Sequence, residues 1–262
     1  MTSRNKRSNL LPSVQPLREE ILLDGRAHLF LGDALKVMER LSDATVDLVL
    51  TDLPYGTTAC AWDFIIPPAD MWKGLKRVGK PHTAFVFTAV QPFTWALCAS
   101  NPKDFRYALV WEKPNGTNPY QARFMPMKRH EDILVFYARQ PTYNPQMTEG
   151  RPYTWNSRRS GGEAGGVRQI RETPINNLGT RYPTSILRFP QERGLHPTQK
   201  PVPLMEWLIR SYSNPGDTVL DITMGSGTTG VAAIRNGRRF IGAELSPEYY
   251  AVAKQRILET SS

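Results

Sequence analysis

The chain has 262 residues, 40% of them apolar, enough for one large α/β domain with a lobe attached. Lys and Arg number 33 against 24 Asp and Glu, a formal net charge of +9; a polyanion is the expected partner, although a merely basic protein would show the same excess. No apolar run reaches the ~18 residues of a membrane span, and Cys60 and Cys98 form neither a CxxC pair nor a Cys/His cluster, so nothing implies a disulfide framework or structural zinc.

Residues 1–20 are polar and basic and lack the apolar core of a signal peptide, so they read as a mobile arm of a cytoplasmic protein. Residues 21–140 alternate short apolar runs with helical patterns, as α/β sheets do. Strands are expected at "AHLFLGD" (27–33), "VDLVLTD" (46–52), "TAFVFT" (83–88), "FRYALVWEK" (105–113) and "DILVFYA" (132–138). Residues 141–195 break the rhythm, with eight Arg, no Lys, four Glu, no Asp, and the aromatics Tyr143, Tyr153, Trp155 and Tyr182. This zone reads as an insertion lobe, and Gly161-Gly162 and Gly165-Gly166 suggest that part of it moves until a partner arrives. Over 196–262 the α/β order returns. A helix over 203–213 leads to strand "TVLDI", a glycine loop, a helix over 229–236 and strand "RFIGAEL". The final helix has Ser246 as N-cap and Pro247 at its first position.

Two stretches carry candidate chemistry. In "VLDITMGSGTTGVAA", Asp221 ends a strand and Gly225, Ser226, Gly227 and Thr228 lead into a helix. Such a loop lets backbone N–H groups approach a ligand, though it also serves as a plain strand-to-helix turn. It has neither the lysine of a triphosphate loop nor the third glycine of a dinucleotide fingerprint. Glu244, ending the next strand, stands where Rossmann-like sites bind ribose hydroxyls, or else acts as a strand-end cap. A nucleoside without a pyrophosphate fits the pair, and S-adenosylmethionine answers that description. The second stretch, "TDLPYG", ends an apolar strand with Asp52, Leu53, Pro54 and Tyr55. It is either a simple turn or an amine site. A nucleobase amine is a poor nucleophile because its lone pair is delocalised into the ring, and two acceptors aimed at its hydrogens correct this. The Asp52 carboxylate and the Leu53 carbonyl can be those acceptors, Pro54 stiffens the turn, and Tyr55 offers a face for an extruded base. No metal is required.

Together with "LFLGDAL", "WEKPNG", "KRHEDILVFYA" and "HPTQKPVPLMEWLIRSYSNPGD", these blocks run in an order that resembles the beta-type, permuted DNA amino-methyltransferases. The resemblance extends from about Leu29 to Ile257. It implies a Rossmann-like methyltransferase sheet in two halves, 21–140 catalytic and 196–262 binding S-adenosylmethionine, with a target-recognition lobe over 141–195. DNA would then bind across a basic cleft between the sheet's carboxyl edge and that lobe. Asp52, Leu53, Pro54 and Tyr55 resemble the catalytic tetrad. Asp221, Gly225, Ser226, Gly227 and Thr228 resemble the methionine end of the cofactor site, Glu244 its ribose ligand and Asp33 the acid at its adenine end. Thr198 and Lys200, in "HPTQKP", resemble the segment leading into a helix beside the cofactor, and His130-Glu131 a block near the target base or a support for the strand. The implied activity is transfer from S-adenosylmethionine to N6 of a flipped adenine in double-stranded DNA. Cytosine N4, or a non-catalytic DNA-binding role, is the alternative, and a homodimer is left open. Two positions depart from the family pattern: Leu53 replaces a proline, and Thr223 replaces the usual aromatic residue.

Overall fold

The computed structural model describes residues 17–56, 65–117, 119–164, 167–192, 194 and 199–260, with side chains described outside 158–171. The chain divides into two compact units, one formed by the residues up to 144 together with those from 185 onward, the other by 145–184.

Among the described residues, the first unit is built on a nine-stranded sheet. In chain order its elements begin β1 (Arg18–Leu22), β2 (Ala27–Leu31), α1 (Ala34–Arg40), β3 (Val46–Asp52), α2 (Pro68–Val78), β4 (Gly79–Ala89), α3 (Phe93–Ser100), β5 (Phe105–Thr117) and β6 (Lys128–Phe136). The second unit holds β7 (Thr148–Glu149), β8 (Tyr153–Ala164), β9 (Val167–Asn177) and β10 (Thr180–Arg181). The first unit resumes with β11 (Ile186–Arg188), α4 (Val202–Tyr212), β12 (Thr218–Asp221), α5 (Thr228–Arg235), β13 (Arg239–Glu244) and α6 (Pro247–Glu259).

The sheet order is β1-β2-β13-β12-β3-β4-β6-β5-β11, so a late strand, β12, lies beside an early one, β3. Strands β2, β13, β12, β3 and β4 run parallel, and β6 turns antiparallel against β4 and β5. Alternation of side chains along the central strands feeds two cores. On β4, Ala84 and Val86 face one core with Leu204, Leu208 and Ile257, while Phe85 and Phe87 face the other with Val37, Trp72 and Leu97. Helices α4, α5 and α6 cover the first face and α1, α2 and α3 the second. An open, doubly covered sheet of this kind binds ligands beyond the carboxyl ends of its strands, at the point where strand order reverses. Here that point is the β12–β3 boundary.

Two segments depart from the sequence reading. Arg18–Leu22, partly inside the stretch read as an arm, is an edge strand, tied down where Tyr250 Oη (3.0 Å) and Lys254 Nζ (2.5 Å) donate to Glu20. Ile186–Arg188, inside the zone read as a lobe, joins the main sheet parallel to β5. Neither alternates strongly enough over its three to five residues to be legible alone.

In the second unit β8 and β9 form an antiparallel hairpin, with Trp155 opposite Ile175 and Tyr153 opposite Asn177. Tyr153, Trp155 and Ile175 are exposed, and the Arg181 guanidinium lies 4.6 Å from the Tyr153 ring centre.

Candidate active site

Four neighbouring parallel strands each deliver an acid at the carboxyl end. Asp52 is the last residue of β3, Asp221 of β12 and Glu244 of β13, and Asp33 follows β2 by two positions. All four line one cavity of about 1050 Å³, counting its open mouth. Its walls include Leu53, Ile66, Met205, Ile222, Met224 and Leu245, an apolar lining with a few charged groups, as small-molecule sites have.

Local structure explains each placement. Asp33 is the N-cap of α1, and its Oδ1 accepts from the backbone N–H groups of Leu35 (3.0 Å) and Lys36 (3.1 Å). Glu244 is almost buried; Oε2 accepts from Gly225 N (2.9 Å) and Oε1 from Ser246 N (2.8 Å). A carboxylate has about four acceptor positions, so room for ligand hydroxyls remains. Burial raises the Glu244 pKa against the pull of those backbone donors. Asp221 is fully enclosed, and Oδ1 accepts from Thr51 Oγ1 (2.6 Å) and Thr223 N (3.1 Å). Burial lifts it to about 6, opposed by hydrogen bonds from Thr51, Thr229 and Thr223 and reinforced by the Asp52 charge. A buried carboxylate held by neutral donors is suited to receive a ligand cation.

In the glycine loop, Gly225, Ser226 and Thr228 line the cavity. Gly227 turns elsewhere. Its φ is +78°, and a Cβ there would lie 2.8 Å from Ala253 Cβ on α6, so it permits the turn and the close approach of α5 to α6. Arg256 on α6 clamps the loop, donating to the Ser226 carbonyl (2.6 Å) and to Thr228 Oγ1 (3.2 Å).

The two distant motifs are joined by hydroxyls. Thr223 Oγ1 donates to the Asp52 carbonyl (2.9 Å) and lies 2.8 Å from Thr51 Oγ1, which in turn bonds Asp221. Thr223, the departure from an aromatic residue, is thus a tie between β12 and β3. The other departure, Leu53, buries its side chain in the α1–α2–α3 core, so the loss of a proline ring at that turn is matched by packing.

Among the described residues the Asp52 carboxylate has three donors. Tyr55 Oη (2.5 Å) and Thr88 Oγ1 serve Oδ1, and Lys200 Nζ (2.5 Å) serves Oδ2. Tyr55 also packs on Phe93, ring centres 5.2 Å apart, while lining the cavity with Pro54. Burial, then the Asp52 charge, holds the phenol well above its usual range. Lys200, read as lying beside the cofactor, borders the cavity but spends its ammonium on Asp52 and Glu131. Glu131 is bonded to Lys113, whereas His130 is exposed. Thr198, Cys60 and His196 lie outside the described residues. The sequence reading missed Thr51, Thr88, Thr223, Lys113 and Arg256 as site groups; only Thr223 left a trace, as an anomaly within a motif. Among the described residues no cluster of three His, Cys, Asp or Glu is able to hold a metal, and no helix is long and apolar enough to cross a membrane.

The fold and cavity are those of an open α/β sheet with a small-molecule-sized site at the carboxyl ends of its strands and a hydrogen-bonded carboxylate, Asp52, at its edge. Residues 46–255 match the DNA methylase family, and the chain belongs to that family. It is 48% identical over 239 residues to YubD of Escherichia coli (strain K12), covering 86% of this chain and 88% of YubD. It is 28% identical over 254 residues to the DNA adenine methyltransferase YhdJ of the same organism, covering 86% and 81%. Among solved structures, the cytosine-N4-specific PvuII DNA methyltransferase superposes with a TM-score of 0.64 at 18% identity, over 88% of this chain and 86% of that one, a likeness of fold.

Proposed function

We propose that this chain is a site-specific DNA methyltransferase acting on N6 of an adenine turned out of the duplex. The observation that carries the reading is the convergence of Asp52 with Asp221, Gly225 and Glu244 on one cavity, pinned by the hydroxyl of Thr223. The methyl donor is S-adenosylmethionine, which supplies a sulfonium methyl whose C–S bond breaks as the bond to the amine nitrogen forms. The residues present suit it: Asp221 would hold the ammonium of its methionine part, Glu244 the ribose hydroxyls and Asp33 the adenine end.

At the other side of the cavity the Asp52 carboxylate and the Leu53 carbonyl accept the two amine hydrogens, so nitrogen pyramidalises and its lone pair is freed for attack. The surplus proton leaves to Asp52 or to water. The Tyr55 ring stacks on the base, at a cost in unstacking that contacts in the pocket repay. The 145–184 unit supplies target recognition: its exposed Tyr153 and Trp155 can wedge or stack, and its arginines can bind phosphate or pair with guanine. Aspartate at the head of the tetrad, together with likeness to the adenine enzyme YhdJ, favours adenine over cytosine.

The test is transfer of tritiated methyl from S-adenosylmethionine into DNA, RNA and protein, followed by nucleoside chromatography and long-read sequencing of the modified DNA. N6-methyladenine in a fixed context is the expected product. N4-methylcytosine would correct the base, transfer to protein alone would defeat the DNA reading, and cofactor binding without transfer would mark a binder. Asp52→Ala abolishes transfer and leaves S-adenosylmethionine affinity within about twofold, because the side chain acts on the amine and not on the donor.

A further inference from the structure

A chain of buried charges ends on Lys200 and Asp52, which line the acceptor end of the cavity. Lys113 Nζ is bonded to Glu131 Oε1, Lys200 Nζ lies 3.4 Å from Glu131 Oε2, and the same Nζ is 2.5 Å from Asp52 Oδ2. Both lysines are buried, with Lys200 only 5% exposed. Burial pulls the Lys200 pKa down, but the two carboxylates outweigh it and raise it above the usual value; Glu131, flanked by two lysines, is held below its usual range against the same burial.

Three features give the arrangement a direction. Asp52 Oδ1 already accepts from Tyr55 and Thr88, so Oδ2 is the oxygen left for an incoming amine, and Lys200 is on it. An ammonium N–H and an exocyclic amine N–H are donors of the same kind, and the ammonium fills one of the two acceptor positions on Oδ2, so an incoming amine has to share that oxygen with Lys200 or displace it. Glu131 Oε2 is fully buried, within ion-pair range of Lys200, yet makes no hydrogen bond among the described residues. A buried acceptor left short of its bond is costly unless another state of the site satisfies it. Lysine, a compact charge on a flexible stem, is able to move between two carboxylates without a change of fold.

We propose that Lys200 is a positioning residue that holds the place of the target amine on Asp52 and, when the base enters, passes its ammonium to Glu131 Oε2. The inference rests on the proposed methyltransferase reading. The exchange keeps Asp52 Oδ2 engaged and aimed into the cavity until a base is present. No bond other than hydrogen bonds and ion pairs changes in this exchange.

The experiment compares wild type, Lys200→Met and Glu131→Gln for kcat, KM for DNA, S-adenosylmethionine affinity and melting temperature. It adds binding to a duplex whose mapped target base lacks its exocyclic amine. With nothing to displace, Lys200→Met lowers KM for DNA at least about threefold while kcat falls about tenfold through the loss of aim at Asp52. Glu131→Gln, which removes the receiving charge, raises KM by about threefold or more on normal DNA and binds the amine-free duplex as wild type does. Both variants keep S-adenosylmethionine affinity within about twofold. A rise in KM for both variants, or equal weakening of Glu131→Gln on both duplexes, assigns the lysine a purely structural role and overturns the proposal. So does a loss of about tenfold or more in S-adenosylmethionine affinity with Lys200→Met, which would make it a ligand of the donor. If Lys200→Met does not fold, the two-duplex comparison with Glu131→Gln decides alone. A wild-type chain that transfers no methyl to DNA removes the underlying reading and this inference with it; an active wild type with the contrary variant pattern removes the inference only.

Discussion

Asp221 shows how burial moves the titration of a common side chain, so that anything it binds would depend on pH. Its pKa in the folded chain is about 6, against 3.8 for an unperturbed aspartate. The folded state therefore binds the proton more tightly than the unfolded one. Any stability linked to this group is fully present below about pH 4 and lost as pH rises through 6, a change on the order of 3 kcal/mol. Asp221→Asn should raise the melting temperature of the ligand-free chain at pH 8 and leave it nearly unchanged at pH 4, as differential scanning calorimetry would show. The same variant should weaken S-adenosylmethionine by tenfold or more, roughly the loss of one charge-assisted hydrogen bond. On the proposed reading, calorimetric affinity of the wild type for S-adenosylmethionine should be level between about pH 6 and 7 and fall about tenfold per unit below that, because the proton on Asp221 would have to leave before the ligand's ammonium is received. Thr223 acts at the same scale. Thr223→Val deletes the bond to the Asp52 carbonyl and should cost about 1 kcal/mol in denaturant unfolding, with a fall in kcat larger than any change in KM. A Thr223→Val enzyme with unchanged kcat would mean that this tie is incidental to aiming Asp52.

Elements matter here by where they end. Helix α5 begins at a glycine in the left-handed region with no side-chain cap, and α6 presses against that glycine. Gly227→Ala combines an unfavourable φ with a Cβ clash against Ala253, so it should destabilise the fold by more than about 1 kcal/mol. Because Gly225 and Thr228 move with the turn, ligand affinity should fall as well; chemical denaturation and a binding titration read the two effects separately. Helix α1 is the opposite case, with a side-chain cap from Asp33. Asp33→Ala should cost about 1 kcal/mol in stability and Asp33→Asn much less, since asparagine caps as well as aspartate. The last helix was legible in detail, down to Ser246 as cap and Pro247 at its first position, because capping is local chemistry. Strand β4 was legible only from Thr83, whereas it begins at Gly79; Lys80, Pro81 and His82 are all exposed, and Gly79 pairs with Val46 ahead of a register shift that no local pattern encodes.

For the whole molecule, the net charge of +9 governs encounter with DNA more than the fold. Binding to a long duplex should weaken on the order of a hundredfold between 50 and 200 mM salt if about four phosphates are neutralised. A flat salt dependence in a filter-binding or anisotropy assay would show the positive charge to be a solvated face without a partner. Sheet order decides the remainder: β12 and β3 stand some 170 positions apart in the chain yet pair directly, with Thr51 and Asp221 in hydrogen-bond contact at 170 residues' separation.

The sequence by itself determined the α/β class, the central strands and the acids at their ends, the glycine turn and the turn over residues 52–55, because periodicity, capping and turn chemistry are local and leave their marks residue by residue. Tertiary structure alone decided that four carboxylates converge on one cavity, that Thr51, Thr88 and Thr223 fasten the two motifs, that Gly227 serves α6 and not the cavity, and that Lys200 spends its charge on Asp52 and Glu131. Those are contacts between strands and helices distant in the chain, chosen by packing and by the need to satisfy buried charge, and a linear pattern carries neither constraint.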